Sequence, residues 1–181
     1  MLKHVPNILT IIRFFLIPFI VLFALKGNYV VASIFLIISG FTDVADGYIA
    51  RKYNFVTDFG KLMDPLADKA TQVSTLLVLV VQGIIPLWIL LVVVIKEFIL
   101  IVGASFLYGK DLVVSSKWYG KVSTVLFYVA IFFSMMFRQF NLNFTFDQYI
   151  YYLGVILTLF SLVMYIKAFF IKDYLKKAEE K

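Results

Sequence analysis

The sequence predicts an all-α integral membrane protein with six transmembrane helices and both termini in the cytosol. Apolar residues make up 62% of the 181 residues and charged residues only 15%, and the mean hydropathy is +0.95. This composition excludes a water-soluble globular domain, in which about half of the residues are apolar. Since a membrane-spanning helix needs roughly 20 apolar residues, six spans fit with short connections. We therefore expect a single membrane domain over residues 1–181.

Six apolar runs supply the predicted spans in chain order, and glycine, proline, asparagine or charged residues separate them. The first run follows a short basic head and has no small-residue cleavage site, which favours a retained span over a signal peptide. After the last run, the charged and helix-forming tail over residues 172–181 is expected to lie at the inner membrane surface. The predicted spans cover residues 7–25, 29–50, 62–81, 84–107, 120–137 and 148–171.

The distribution of basic residues predicts the orientation in the membrane. An even number of spans places both termini on one side. Of the 17 basic residues, Lys26 and Arg138 lie in connections on the opposite side and Arg13 and Lys96 lie within spans, which leaves 13. The positive-inside rule therefore assigns the termini to the cytosol, within the cytoplasmic membrane. The net charge of +6 is spread between apolar runs, a distribution that suits an anionic membrane surface and not nucleic acid.

Acidic residues are concentrated where the second and third spans meet. Five of the eight aspartates lie between Asp43 and Asp68. Helical spacing places two sets of residues on one face each. The sets are Asp43, Asp46, Gly47, Ala50 and Arg51 on the second helix, and Gly60, Asp64 and Asp68 on the third. Because each carboxylate facing lipid would cost about 2.5 to 3.5 kcal/mol, we expect them to converge on a polar cavity.

Four converging carboxylates indicate a metal site. The chain has no cysteine and one histidine, His4, so any metal must be held by oxygen atoms. Oxygen ligands favour hard ions such as Mg²⁺, Mn²⁺ or Ca²⁺. Arg51 alone cannot neutralise four charges, whereas two divalent ions can, and an ion pair of this kind assists phosphoryl displacement. Gly47 and Gly60 have no side chain, which lets a flat or bulky group lie against the backbone.

Structural roles for single aspartates are the competing interpretation. Asp64 precedes Pro65, which is typical of a helix N-cap, and the aspartates of the second helix can pair with basic residues at its end. The joint occurrence of all eight residues argues against this. Two starts of the third helix remain open, at Asp64 or near Thr57 with a bend at Pro65. The second choice keeps Gly60 and Asp64 on one helical face.

The acidic motif resembles the complete signature of the CDP-alcohol phosphotransferase family, also called CDP-alcohol phosphatidyltransferases, without departure at a fixed position. The signature here is Asp43-x2-Asp46-Gly47-x2-Ala50-Arg51-x8-Gly60-x3-Asp64-x3-Asp68. The resemblance implies six spans, a homodimer and an active site that faces the cytosol. It also implies transfer of the phosphate-linked alcohol of a CDP-alcohol to a hydroxyl acceptor, with release of CMP and with divalent metal, Mg²⁺ or Mn²⁺ and two ions.

The same resemblance implies roles for the motif residues. The implied metal ligands are Asp43, Asp46, Asp64 and Asp68, and Asp68 is also the implied general base. The positions implied to line the CDP pocket are Gly47, Ala50, Arg51 and Gly60. A divalent-cation transporter is the distant alternative, since an acidic cluster within the membrane also suits ion transport. A transporter does not require glycine and alanine at fixed spacing, and we expect no acidic partners toward the outer face.

Two basic residues near the fifth span bear on the acceptor. Lys117 and Lys121 are four residues apart, so their ammonium groups can share a helix face and bind a phosphate. Membrane anchoring is the alternative explanation. The segment resembles the Gly-Lys-x-x-Thr region of bacterial phosphatidylglycerophosphate synthases. So does the opening segment, in which Asn7, Thr10 and Arg13 can share a helical face toward the cavity.

This likeness favours an enzyme that uses CDP-diacylglycerol and glycerol 3-phosphate, within a membrane of phospholipids. The chain differs from the usual glycerophosphate enzymes at Ser123, where they have a second lysine, and at Lys96-Glu97, where they have arginine and glutamate. Because fewer basic residues weaken the case for a phosphorylated acceptor, a cardiolipin synthase with phosphatidylglycerol as acceptor is the competing function. Lys96 and Glu97 are expected to face the interior of the helix bundle, with a functional or a structural role.

Overall fold

The structure, a computed structural model, describes residues 5–53, 55, 57–108, 118–142 and 144–179. These residues form six α-helices, which confirms the all-α prediction. The helices are α1 (Val5–Leu25), α2 (Tyr29–Lys52), α3 (Asp58–Val81), α4 (Leu87–Tyr108), α5 (Trp118–Gln139) and α6 (Phe146–Glu179). Since α6 continues through Glu179, the charged tail predicted over residues 172–181 is helical as far as it is described.

Four helices have the length and apolar composition needed to cross a membrane, within the part of the chain that the structure describes. The candidate spans are Asn7–Leu25, Tyr29–Ala50, Trp118–Gln139 and Phe146–Lys167. The prediction of a membrane protein with several spanning helices is therefore supported by length and composition. Helix α3 differs because its first half carries the charged residues of the acidic motif, and these lower its apolar character.

The chain divides into two compact units, of which the first comprises the described residues of 5–86 and 131–147. Within it, α1 packs against both α2 and α3. Ala24 of α1 and Ala32 of α2 are fully buried, and small side chains of this kind let helices approach closely in membrane proteins. The ring of Phe35 stacks between those of Phe19 and Phe23, at centroid distances of 5.5 and 5.7 Å.

Neutral side chains join the helix ends of the first unit. The Gln82 side chain donates to the carbonyl of Ala24 at the end of α1, at 2.7 Å, and accepts from the Tyr29 hydroxyl at 3.0 Å. Gln139 accepts from the backbone N–H of Tyr29 at 2.8 Å. These bonds satisfy backbone groups that have no partner within their own helix. The tight turn between α1 and α2 uses Gly27 with a φ of 74°, a left-handed conformation that favours glycine.

The second unit comprises the described residues of 87–130 and 148–179. Phe127 of α5 is buried against the ring of Tyr151, at a centroid distance of 6.2 Å, and against Gly154 of α6. Lys96 and Glu97 of α4 are both largely buried, with 2.6 Å between Nζ and Oε1. Their predicted interior position is therefore confirmed, and they form an ion pair with each other.

Candidate active site

The start of α3 is set by a capping residue. Thr57 is the N-cap, and its hydroxyl accepts from the backbone N–H of Gly60 at 3.0 Å and donates to Asn7 Oδ1 at 2.7 Å. Of the two predicted starts, the one near Thr57 is therefore right, and Pro65 lies inside the helix. The interpretation of Asp64 as an N-cap was wrong. Because the helix runs through this segment, Gly60 and Asp64 lie one turn apart on one face.

Helix α1 contributes the groups that bind the aspartates. Arg13 Nη1 lies 2.7 Å from Asp43 Oδ1, and Nη2 donates to Asp46 Oδ2. Arg13 Nη1 also approaches the backbone carbonyl of Asp64 at 3.4 Å. The Thr10 hydroxyl donates to Asp64 Oδ1. Arg13 and Thr10 thus connect α1 to α2 and α3, and we call this set of five residues the acidic network.

Negative charge exceeds positive charge in the acidic network. Asp43 lies in the electrostatic field of Asp64 and Asp68, and Asp46 in that of Asp64 and Asp43. The side chain of Asp46 is 2% exposed, whereas that of Asp43 is 47% exposed. Asp68 is 27% exposed, and its Oδ2 lies 3.9 Å from Nζ of Lys69. The site therefore combines a buried carboxylate, Asp46, with two carboxylates that solvent can reach, Asp43 and Asp68.

The donor chemistry of the site fits a divalent cation. Asp43, Asp46, Asp64 and Asp68 offer only oxygen atoms, from two helices, and a hard cation such as Mg²⁺ prefers oxygen ligands. Their mutual repulsion is only partly compensated by Arg13. Across the described residues, no group of three acidic or histidine side chains forms a ready-made metal site. The carboxylate oxygens of Asp43 and Asp46 point instead at the arginine.

Gly60 lies against polar side chains of its own chain. A Cβ atom at this position would lie 3.2 Å from Thr57 Oγ1, 3.4 Å from Asn7 Oδ1 and 3.5 Å from Asp64 Oδ2. The first distance is shorter than an ordinary contact, so a side chain at Gly60 would push the Thr57 hydroxyl away by a few tenths of an ångström. The glycine therefore allows α1 and the start of α3 to approach each other.

The other predicted site residues lie on two different elements. Gly47 and Ala50 are half-buried on α2, whereas the side chain of Arg51 lies outside the described part of the structure. Lys121 is exposed in the first turn of α5, and Lys117 lies outside the described residues. A phosphate clamp by the two lysines therefore stays a prediction.

Ser123, the residue that replaces a lysine of the usual glycerophosphate enzymes, is buried in the second unit. Its hydroxyl lies 2.5 Å from the Thr158 hydroxyl of α6. This contact is of the kind that holds two membrane helices together. Ser123 therefore packs between α5 and α6 and does not supply a charge.

Arg13 is a counter-charge of the site that was not predicted from the sequence. Sequence reasoning considered Arg51 as the neutralising cation, but Arg13 forms the ion pairs with Asp43 and Asp46. The three-residue spacing of Asn7, Thr10 and Arg13 correctly predicted one polar face of α1. The spacing did not reveal their partners, because these lie 30 to 54 residues away in the sequence.

Comparison with known proteins identifies the family. The profile of the CDP-alcohol phosphatidyltransferase family matches residues 3–169, which include the whole acidic network. The chain belongs to this family. The family resemblance noted from the sequence is therefore confirmed.

Bacterial members of the family are similar to the chain over most of its length. One is the CDP-diacylglycerol--glycerol-3-phosphate 3-phosphatidyltransferase of Mycoplasma genitalium, 31% identical over 194 residues, which covers 90% of this chain and 82% of the relative. The Bacillus subtilis protein of the same name is 35% identical over 136 residues, which cover 67% of this chain and 70% of the relative. An animal protein is also similar. This probable cardiolipin synthase (CMP-forming) of Drosophila melanogaster is 35% identical over 103 residues, which cover 56% of this chain and 32% of the relative.

Proposed function

We propose that this family member is a phosphatidyltransferase of phospholipid biosynthesis. It converts CDP-diacylglycerol and sn-glycerol 3-phosphate to phosphatidylglycerophosphate and CMP. The observation that carries the proposal is the joining of Asp43, Asp46 and Asp64 by Arg13 and Thr10 in one network. The names of the relatives in Mycoplasma genitalium and Bacillus subtilis support this choice of substrates.

In the proposed reaction, a hydroxyl of glycerol 3-phosphate attacks the phosphorus atom that carries the diacylglyceryl group. A new phosphorus–oxygen bond forms, and the bond to the CMP phosphate breaks, so that CMP leaves with the electron pair. The hydroxyl proton passes to Asp68. The partial exposure of the Asp68 side chain, 27%, supports this role because an incoming hydroxyl group can reach it. Phosphoryl transfer of this type depends mainly on positioning and on charge stabilisation.

The proposed metal ligands are Asp43, Asp46, Asp64 and Asp68. Two ions, Mg²⁺ or Mn²⁺, would neutralise charge on the diphosphate and on the departing CMP when they are bound. The part of the protein in this step is to hold the carboxylates on two helices. Helix α2 and the contacts with Arg13 hold Asp43 and Asp46 in place, and α3 carries Asp64 and Asp68.

The donor and acceptor pockets are further parts of the proposal. Gly47, Ala50, Arg51 and Gly60 would line the site of the CDP group, because they share helix faces with the aspartates. The acyl chains of the donor would remain in the bilayer.

Lys117 and Lys121 would bind the phosphate of the acceptor at the start of α5. The exposure of Lys121 supports this assignment, since a phosphate in solution can reach it. A second candidate function is a cardiolipin synthase that uses phosphatidylglycerol as acceptor. It is favoured because the segment over residues 120–124 has one lysine, and Ser123 in the same segment is buried and uncharged, which leaves fewer cations for a phosphorylated acceptor. The Drosophila melanogaster relative bears such a name.

We also propose the arrangement of the protein in the cell. The 181 residues would form one membrane domain in the cytoplasmic membrane, with six spans, cytosolic termini and an active site facing the cytosol. The four apolar helices and the single family match over residues 3–169 support this arrangement. A homodimer is the proposed assembly, and it follows from family resemblance.

CMP release by protein purified in detergent tests the proposal. CDP-diacylglycerol is supplied with Mg²⁺ or Mn²⁺, and glycerol 3-phosphate, phosphatidylglycerol and inositol phosphate are compared as acceptors. We expect release with glycerol 3-phosphate and none in EDTA. Release only with phosphatidylglycerol would establish the cardiolipin synthase instead. No release with any acceptor would contradict both, and a divalent-cation transporter would then have to be tested by metal flux.

A further inference from the structure

Arg13 is a buried cation in the middle of the acidic network. Its side chain is 1% exposed, so the guanidinium group does not reach a substrate that arrives from the membrane surface or from water. Its contacts are with the proposed metal ligands Asp43 and Asp46 and with the backbone of Asp64. Its effect on the reaction must therefore act through these aspartates.

We propose that Arg13 is a positioning residue for the two carboxylates of Asp43 and Asp46. It holds Asp43 and Asp46 together, and its charge limits how strongly these carboxylates take up a divalent cation. The inference rests on the proposed function, since it assumes that these aspartates bind the metal.

The geometry of the guanidinium group supports this role. Its planar fork lets Nη1 and Nη2 contact two different carboxylates at once, which the compact ammonium group of lysine does less well. Asp46 is 2% exposed, and a buried carboxylate with no partner is strongly unfavourable. Arg13 Nε has no acceptor among the described residues, so the guanidinium group is not held on every side.

A metal ion bound by Asp43 and Asp46 would share these two carboxylates with Arg13. The contacts of Arg13 use Oδ1 of Asp43 and Oδ2 of Asp46. A cation that binds Asp43 and Asp46 must displace the arginine from one of these oxygens or bind beside a like charge. Both effects oppose metal binding, and both disappear when Arg13 is replaced by a neutral residue. Conversely, a bound metal restores the positive charge that such a variant has lost.

Thr10 offers a matched comparison within the same helix and network. It is fully buried and donates a hydrogen bond to Asp64, but it carries no charge. Thr10→Val therefore removes a polar contact and leaves the charge unchanged. Arg138→Gln removes a charge at an exposed position in the last turn of α5. The first variant controls for loss of a buried contact, and the second controls for loss of net charge.

The test measures stability and metal affinity in the full-length protein in detergent. Melting temperatures of wild type, Arg13→Gln, Arg13→Lys, Thr10→Val and Arg138→Gln are recorded in EDTA and in saturating Mn²⁺. The affinity for Mn²⁺ is obtained from the electron paramagnetic resonance signal of the free ion.

For Arg13→Gln we expect a lower melting temperature in EDTA and a deficit that shrinks by at least half in Mn²⁺. We also expect Mn²⁺ binding about tenfold tighter than in wild type, the order of magnitude for removing one like charge a few ångströms away. Arg13→Lys should keep the Mn²⁺ affinity of wild type within about threefold, because it keeps the charge. Thr10→Val should show the same deficit in both conditions, and Arg138→Gln should match wild type.

An equal deficit of Arg13→Gln in EDTA and Mn²⁺, with unchanged Mn²⁺ affinity, would overturn the inference and leave Arg13 as a structural ion pair. If Arg13→Gln does not fold, Arg13→Lys decides, and tenfold tighter Mn²⁺ binding by this variant would contradict the role of the charge. Absence of Mn²⁺ binding by wild type would overturn the metal site and the inference together. Intact metal-dependent CMP release with equal affinities in wild type and Arg13→Gln would overturn the inference alone.

Discussion

Two polar networks in the first unit differ in charge. The acidic network joins the middle of α1 to α2 and α3 through acidic and basic side chains and the Thr10 hydroxyl, with one arginine facing two carboxylates. The second network, formed by Tyr29, Gln82 and Gln139, is neutral and joins helix ends. We call it the amide network. Tyr29 and Asp46 belong to the same helix, 17 residues apart, so the two networks are about 25 Å apart along α2.

The difference between the networks separates stability from function. Neutral hydrogen bonds at helix ends satisfy backbone groups at little cost, and each contributes about 0.5 to 1.5 kcal/mol. Surplus negative charge in a membrane-embedded unit is costly, so a site that retains it is expected to be functional. The amide network should therefore affect stability alone, and the acidic network should affect activity as well.

The largest effect is expected for Asp68→Asn. Loss of the proposed base should reduce CMP release roughly 10²- to 10⁴-fold, the range for general base catalysis, while CDP-diacylglycerol still binds. Initial rates and donor binding measure the two effects. The control is Asp147→Asn, because Asp147 is buried in the same unit but hydrogen-bonds Ser134 at 2.6 Å. Full activity of Asp68→Asn would remove this residue from the base role.

A smaller effect should distinguish two members of the acidic network. Asp46→Asn in EDTA should lower the free energy of unfolding by about 3 kcal/mol, because it breaks a buried ion pair of Arg13. Asp43→Asn also breaks an ion pair of Arg13, but the Asp43 side chain is 47% exposed. This substitution should therefore lower the free energy of unfolding by less than about 1 kcal/mol. Unfolding in detergent, followed by circular dichroism, measures both. Equal losses would show that burial does not determine the strength of these pairs.

The amide network predicts a loss of stability without loss of activity. Gln82→Ala removes the hydrogen bonds to Ala24 and Tyr29 and should cost about 1 to 2 kcal/mol. The rate of CMP release, measured well below the melting temperature, should stay at the wild-type value. The exposed Gln148 offers the control Gln148→Ala, which should be neutral within about 0.5 kcal/mol. A slower reaction in Gln82→Ala would contradict the separation of the two networks.

Two helical glycines give the smallest expected effects. Gly40 has open space where a Cβ would lie, so Gly40→Ala should stabilise the protein by up to about 1 kcal/mol through helix propensity. At Gly60 the same gain should be offset by the displacement of the Thr57 hydroxyl, which lies 3.2 Å from the added atom. We expect Gly60→Ala to slow CMP release severalfold and Gly40→Ala to leave it unchanged. Equal rates in the two variants would place Gly60 outside the site.

The elements of the fold could be predicted because apolar runs of suitable length report directly on membrane helices. The first span was predicted over residues 7–25, and α1 covers Val5–Leu25. The third apolar run was predicted to begin at residue 62, and of the two helix starts left open the one near Thr57 is right, since α3 begins after the Thr57 cap. The apolar run starts later than the helix because the first turns of α3 are polar. A cap formed with Asn7 of another helix is not visible in local sequence.

The sequence by itself determined the helices, the membrane class and the family, because periodicity, apolar content and motif spacing are local properties. It also determined which aspartates share a face. Only the tertiary structure decided that Arg13 and Thr10 bind those aspartates. The physical reason is that ion pairs and hydrogen bonds between helices depend on packing across dozens of residues. Helical spacing shows which face a side chain occupies, and packing decides which partner it contacts there.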